Sequence, residues 1–407
     1  MRIKIHRGQS QIGGNIIEIS TDQTKIILDV GLELDDEKNE LLPDIPGLFN
    51  YKGFDGVFIS HYHSDHMGLA YEVSKDIPIY IGEASFKIIK ASDDYKKVNT
   101  FSPAGYLSHM KPIQVGDIKI TPFLADHSAF DSYMILVEVE GKTLLYTGDF
   151  RSNGRKPFDC LLSQLPQNID ALICEGTTLS RESYIPETET DLEEKAVELI
   201  KANKGPIFVL QSSMNIDRIV TVFRAAKRSG RLFFQDLYMA EITNSIGGSI
   251  PNPNGFKEVK AFVARAYRKD HFRYKLFEKY GVNKISKKQI AQSDFVMCVR
   301  TSMLEYIKSL CMNMSFSNGY LIYSVWEGYK KQPEMKEFLQ SCQELGLSII
   351  SLHTSGHADK DAILKLIAKV KPKTIIPVHT ENATWFTEKT NGIKILLDND
   401  SIKIEFT

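Results

Sequence analysis

Long apolar runs are missing from this chain: no stretch approaches the roughly 20 residues that a membrane span requires. The N-terminus, MRIKIHRGQSQIGG, lacks the apolar core of a secretory signal. Cysteine is scarce. The five present (Cys160, Cys174, Cys298, Cys311, Cys342) are odd in number and form no CxxC pair. They exclude a disulfide framework or zinc knuckle and read as reduced thiols of a cytoplasmic protein. An excess of either charge is absent too: 50 basic and 51 acidic side chains leave a net −1. That balance argues against a chain that grips nucleic acid with its whole surface. Low-complexity segments and short repeats are absent as well. What remains is a globular composition, 43% hydrophobic and 25% charged, over 407 residues, enough for two or three domains.

The pattern of elements falls into three stretches. Up to about Cys174, short β-runs alternate with turn residues: Asn15–Ile19, Lys25–Val30, Gly56–Ser60, Lys119–Leu124, Tyr133–Val139, Lys142–Thr147 and Ala171–Cys174. Glu83–Val98 is the clearest helix there. From about Thr178 to Leu347 strands alternate with helices, the texture of a parallel α/β layer. Asp191 is placed to cap a helix running through Asn203, and Thr177–Asp191 reads as the linker into this layer. From Ser348 onward come a strand, the helix Asp359–Val370, the strand Thr374–Val378 and a terminal pair of strands.

Chemistry concentrates at strand ends. The run Val57–Ser60 delivers His61, His63, Asp65 and His66; later strands deliver His127, Asp149 and His379. Neutral imidazole and carboxylate are the ligands that zinc and similar cations take. Two imidazoles two residues apart can point the same way, while Asp65 and His66 can turn back toward a second ion. Two ions about 3.5–4 Å apart sharing Asp149 and a bridging hydroxide would suit phosphodiester hydrolysis.

At these residues the sequence resembles the metallo-β-lactamase superfamily, whose metal motifs match HYHSDH, DHS, TGD and the C-terminal VH in order. The resemblance implies an α/β fold, an αββα sandwich with a dinuclear site, zinc by preference with manganese as the alternative. By position, His61, His63 and His127 would hold one metal. Asp65, His66 and His379 would hold the other, with Asp149 bridging and Asp29 orienting the site. Ile173–Thr178, His353–Ala358 and Pro377–His379 resemble the three motifs of the β-CASP nucleases, with the histidine of RNA-acting members at the third. This implies a core over 1–177 and 351–407 and an inserted parallel α/β β-CASP domain over 178–350. It also implies a cytoplasmic metal-dependent hydrolase, a ribonuclease of endo- or 5′-exo type, acting through a metal-activated hydroxide. Asp65, Glu175 and His357 would be catalytic: Glu175 fixing a histidine tautomer, His357 protonating the leaving oxygen. His353, Ser355, Ser213 and Asn215 are candidate substrate contacts, although Ser213 and Asn215 serve equally as helix caps. Motif one reads EGTT where relatives have DST or EST, and only about 28 residues follow His379, so a relative's oligomeric state does not transfer.

Lys257–Lys288 carries eleven Lys or Arg against three acids, a local +8, interleaved with Tyr267, Phe272, Tyr274, Phe277 and Tyr280. It reads equally as a single-stranded RNA surface or as a solvated helix whose rings turn inward. His6, His109 and His271 read as structural or exposed. The rival readings are a hydrolase of the same fold acting on DNA or a small ester, and a non-catalytic RNA-processing scaffold.

Overall fold

Along the first strand, Arg2–Arg7, Ile3 and Ile5 point inward while Arg2 and Lys4 stay in water, the period-two pattern of a half-buried sheet. This computed structural model describes residues 1–34, 42–181, 186–264, 271–397 and 402–403. Two compact units divide the chain: Met1–Ile89 with Thr100–Pro186 and Gly356–Thr407, and Lys90–Asn99 with Glu187–Ser355.

The first unit holds two seven-stranded sheets. One runs, in spatial order, Ile402–Lys403, Arg2–Arg7, Ile16–Ser20, Lys25–Val30, Gly56–Phe58, Ile79–Gly82 and Gly105–Leu107. The other runs Lys394–Ile395, Thr374–Val378, Ala171–Glu175, Lys142–Tyr146, Ser132–Val139, Ile118–Ala125 and Ile113–Val115. Their facing side chains, among them Ile3, Ile17, Leu28 and Phe58 against Ile120, Val137, Tyr146 and Ile376, form one core. The second sheet's other face, with Leu145, Leu172 and Ile375, is covered by the helices Phe158–Gln164, Lys360–Val370 and Thr384–Lys389. This is the sandwich that the motifs implied. Arg2–Arg7 and Ile79–Gly82 are strands that the sequence reading left out. The terminal strands are not partners: Lys394–Ile395 extends the second sheet and Ile402–Lys403 pairs with Arg2–Arg7 in the first.

The second unit is built on six strands, all parallel: Val259–Phe262, Leu232–Asp236, Phe295–Val299, Ile207–Leu210, Gly319–Tyr323 and Leu347–Ser351. Sheets covered on both faces read as continuous apolar runs, and Ile207–Leu210 and Phe295–Val299 are buried at every position. Thr188, not Asp191, is the N-cap of the helix Glu189–Ala202. Asp191 lies three residues on and closes a capping box with it, because the threonine hydroxyl reaches the third amide and Asp191 reaches back.

Inside this unit Arg218 and Glu189 form an ion pair in which the two side chains are 1% and 0% exposed. Arg218 donates to both Glu189 oxygens and to Ser324, and Thr221 donates to Glu189. Removing one partner strands a buried charge. Arg218→Met is expected to cost about 3–5 kcal/mol in chemical denaturation, with much of the loss recovered in Arg218→Met/Glu189→Leu. An additive double variant would mean that the two charges do not depend on one another.

Candidate metal centre

The carboxyl ends of six strands of the first unit supply the site: Asp29 from Lys25–Val30, His61 to His66 after Gly56–Phe58, His127 after Ile118–Ala125, Asp149 after Lys142–Tyr146, Glu175 at the end of Ala171–Glu175, and His379 after Thr374–Val378. Asp29 and His379 hold left-handed backbone (φ 57° and 52°), a conformation costly for non-glycine residues that persists where the surroundings fix it. Gly31 has no substitute: a Cβ there would lie 1.8 Å from the backbone oxygen of Asp65.

Three histidines converge first. His61 Nε2 and His127 Nε2 lie 3.2 and 3.1 Å from His63 Nδ1. Nitrogens about 2.0–2.1 Å from a tetrahedral zinc would be separated by roughly 3.3–3.4 Å, so the triad has the spacing of a metal face. Burial, reinforced by the neighbouring imidazoles, pushes His61 and His127 well below the usual histidine range; burial also lowers His63, to about 4. All three rings are therefore uncharged near neutral pH, the form in which imidazole binds a metal. A second set lies beside them. Asp65 Oδ2 is 3.1 Å from His379 Nε2 and 3.9 Å from His66 Nε2.

Asp149 joins the two. Its Oδ2 lies 3.8 Å from both His61 Nε2 and His127 Nε2, 3.2 Å from His66 Nε2 and 3.8 Å from His379 Nε2. Yet both Asp149 oxygens and His66 Nε2 are buried with no hydrogen-bond partner among the described residues. Buried carboxylates without partners are costly, and such atoms aimed at a shared centre fit divalent cations. Burial opposes the charged forms of Asp65 and Asp149, but the surrounding imidazoles outweigh it and hold both carboxyls well below their usual range. Residues 24–211 match the β-lactamase superfamily domain, and residues 344–396 match the Zn-dependent metallo-hydrolase RNA specificity domain.

The chain belongs to the metallo-β-lactamase superfamily, in its β-CASP branch.

It is 23% identical over 358 residues to a ribonuclease J of Sinorhizobium meliloti, covering 84% of this chain and 61% of that one. Against a ribonuclease J of Helicobacter pylori strain B128 it is 23% identical over 402 residues, 92% of this chain and 55% of that one. The chain thus spans a little over half the length of these relatives. A probable RNase MJ4 of Methanocaldococcus jannaschii is 25% identical over 424 residues, covering 93% of this chain and 92% of its own. In fold it is similar to a crystal structure of a protein of unknown function from Enterococcus faecalis V583, with TM-score 0.79, 20% identity and coverage of 98% and 97%.

Around these candidate ligands, two carboxylates set the histidine tautomers. Asp29 Oδ2 accepts His66 Nδ1–H at 2.7 Å, the Ser60 hydroxyl at 2.7 Å and the Tyr146 hydroxyl at 2.6 Å. Because Ser60 gives its proton to Asp29, it accepts from His61 Nδ1 at 3.0 Å and leaves His61 Nε2 facing inward. Glu175 repeats the arrangement. Its Oε2 lies 3.2 Å from His357 Nδ1 and accepts the Thr177 hydroxyl at 2.7 Å; Thr177 in turn takes His379 Nδ1 at 2.7 Å. Glu175 therefore reaches His379 only through Thr177, and its direct histidine partner is His357. Its Oε1 also accepts the Phe150 amide at 2.8 Å, bracing Asp149. His127 Nδ1 donates to the Gly356 carbonyl.

Ser60, Thr177 and Tyr146 went unnoticed in the sequence, although Ser60 precedes His61 and Thr177 lies two residues beyond Glu175. So did the buried pair Asp126–Arg151, joined at 2.5 Å, which clips the turn before His127 to the turn after Asp149. Ser213, Asn215, His353 and Ser355 belong to the second unit. There Asn215 caps the helix Ile216–Arg228, and Ser213 accepts from Arg300 at 2.7 Å. Of the remaining histidines, His6 pairs with Glu18 at 2.9 Å, His109 accepts from the Leu124 amide at 3.0 Å, and His271 is exposed.

Thr177→Val is expected to weaken metal binding at the Asp65–His66–His379 set about 10–100-fold while Thr177→Ser retains it, as read by titration calorimetry. The two sets also respond differently to acid. Burial opposes protonation of His66, but Asp149, Asp65 and Asp29 outweigh it and raise its pKa well above the usual value. An incoming ion must displace that proton, so as pH falls through this raised pKa affinity drops first at this set. The set of neutral rings keeps its metal to lower pH. Metal occupancy across a pH series, lost from both sets together, would contradict this.

Proposed function

We propose that the protein is a metal-dependent ribonuclease that hydrolyses phosphodiester bonds of single-stranded RNA, acting in the cytoplasm. One observation carries the reading: a single buried oxygen, Asp149 Oδ2, stands within 3.2–3.8 Å of imidazole nitrogens from both ligand sets. The relatives named as ribonucleases, and the RNA specificity domain matched over residues that include His357 and His379, favour RNA over DNA or a small ester. Every ligand position holds a competent side chain, which counts against a non-catalytic scaffold. Among the described residues, no helix is long and apolar enough to cross a membrane.

His61, His63 and His127 would hold one divalent ion; Asp65, His66 and His379 would hold the other, with Asp149 shared. Two ions so held, zinc in the first instance, would supply the positive charge that phosphodiester hydrolysis draws on. The rest of the chemistry falls to the chain. His357 is 22% exposed, whereas His61, His66, His127 and His379 are at most 1% exposed; His63 is also partly exposed but belongs to the first ligand set, so His357 is the ring outside both sets that a substrate can touch. Its Nδ1 faces Glu175 and Asp149, at 3.2 and 3.5 Å. Nε2 is then the atom that carries a proton to the leaving 3′ oxygen. Burial works against the charged ring, but Glu175 and Asp149 prevail and raise its pKa, as a general acid near neutral pH needs.

His357→Ala is expected to lower kcat on RNA by about 10²–10⁴-fold with metal content unchanged. The protonated ring is the active form, so kcat falls as pH rises through its pKa. Glu175→Gln removes the nearer stabilising charge and should move that descending limb to lower pH. Incubation with end-labelled linear RNA, circular RNA and matched single-stranded DNA tests the reading itself. Cutting of the circle marks an endonuclease, and mononucleotides released only from 5′-monophosphate RNA mark an exonuclease. Cleavage of DNA alone would overturn the assignment.

A further inference from the structure

The helix His271–Glu278 in the second unit buries none of its residues. Its aromatic neighbours divide between two tasks. Tyr280 is buried and donates to Glu241 at 2.6 Å, and Phe277 and Leu276 pack with it against Leu237, Ala240 and Ala261. Phe272 and Tyr274 face outward, 38% and 54% exposed. The helix is seated on the end of Glu83–Lys96, within the same unit: Arg273 stacks 4.8 Å over Tyr95 and donates to its carbonyl at 3.1 Å. Lys97 stands 5.5 Å over the Phe272 ring, next to exposed Lys96.

Charge separates the candidate partners. From His271 to Lys288 the chain carries Arg273, Lys275, Lys279, Lys284, Lys287 and Lys288 against Glu278 alone, and Glu278 is paired with Lys284 at 2.7 Å. Tyr267 and Asp270 of the wider basic stretch lie outside the described residues. Protein interfaces are depleted in lysine, whereas a phosphodiester strand uses lysines for its phosphates and exposed rings for its bases. Resting on the ribonuclease reading, we propose that the surface made by the end of Glu83–Lys96 and by His271–Glu278 docks single-stranded RNA, with bases stacked on Phe272 and Tyr274 and phosphates on Lys96, Lys97 and Lys275.

Stopped-flow fluorescence anisotropy with a labelled single-stranded RNA, using the metal-loaded full chain, reads affinity before cleavage intervenes. Phe272→Ala and Tyr274→Ala should each weaken binding about tenfold, while Tyr274→Phe, which keeps the ring, should bind as the unaltered protein does. Lys96→Ala and Lys275→Ala should each flatten the dependence of log affinity on log salt by about 0.7. Thermal melting shows that each variant is folded. The surface is wrong if folded Phe272→Ala/Tyr274→Ala binds RNA like the unaltered protein, or if Tyr274→Phe loses as much as Tyr274→Ala. The two readings fail separately. An unaltered protein that cleaves RNA while the double variant keeps full affinity sinks the surface alone, whereas one that neither binds nor cleaves RNA sinks the ribonuclease reading.

Discussion

Two buried carboxylates govern the centre, and the rest of the first unit keeps them in place. Asp29 and Glu175 each face one imidazole directly (His66, His357) and one through a hydroxyl (Ser60 to His61, Thr177 to His379). A hydroxyl has one proton. Spent on the carboxylate, it obliges the neighbouring ring to donate from Nδ1 and so turns the Nε2 lone pair inward. Four ring tautomers are thus set by two acids, with no freedom left to the rings. Asn15 completes the chain of dependence by donating to Tyr146, which donates to Asp29. Two of the three uncharged nitrogens that converge at 3.1 and 3.2 Å belong to rings held from behind, His61 by Ser60 and His127 by the Gly356 carbonyl.

The sandwich makes such pinning affordable. Its parallel strands bring Leu28 beside Phe58 and Glu175 beside Val378, so that side chains far apart in sequence leave their sheets at neighbouring points. Strain is admitted at Asp29 and His379, where the backbone must turn sharply to aim a functional group, and the β-ladders on either side hold it there.

Much of this was legible in the sequence. Imidazoles and carboxylates at strand ends are rare enough to be read together, and His61, His63, Asp65, His66, His127, Asp149 and His379 all fall in side-chain clusters of one unit that could hold a metal ion. The apolar runs announced the sheets for the same reason, since burial on both faces leaves no polar position to confuse the pattern. Hydroxyls were not legible. Serine and threonine occur everywhere, and Ser60 and Thr177 acquire meaning only from the geometry of a carboxylate behind them. Long-range pairing was equally hidden: nothing in Lys394–Ile395 or Ile402–Lys403 indicates that each joins a different sheet. In the basic stretch composition was visible but orientation was not. Alternation cannot say which ring turns inward when a helix buries none of its residues, and Phe272 and Tyr274 are exposed where Tyr280, just beyond the helix, is buried.

The order in which the ligands occur along the chain has a consequence for synthesis. His127 is made early, but the second ligand set is complete only with His379, after the whole second unit has been translated. At about 5–20 residues per second the interval lasts on the order of tens of seconds. During that time the nascent chain carries one finished set of imidazoles and no means of closing the other. Only when His379 has been added does the growing polypeptide hold every side chain of both sets.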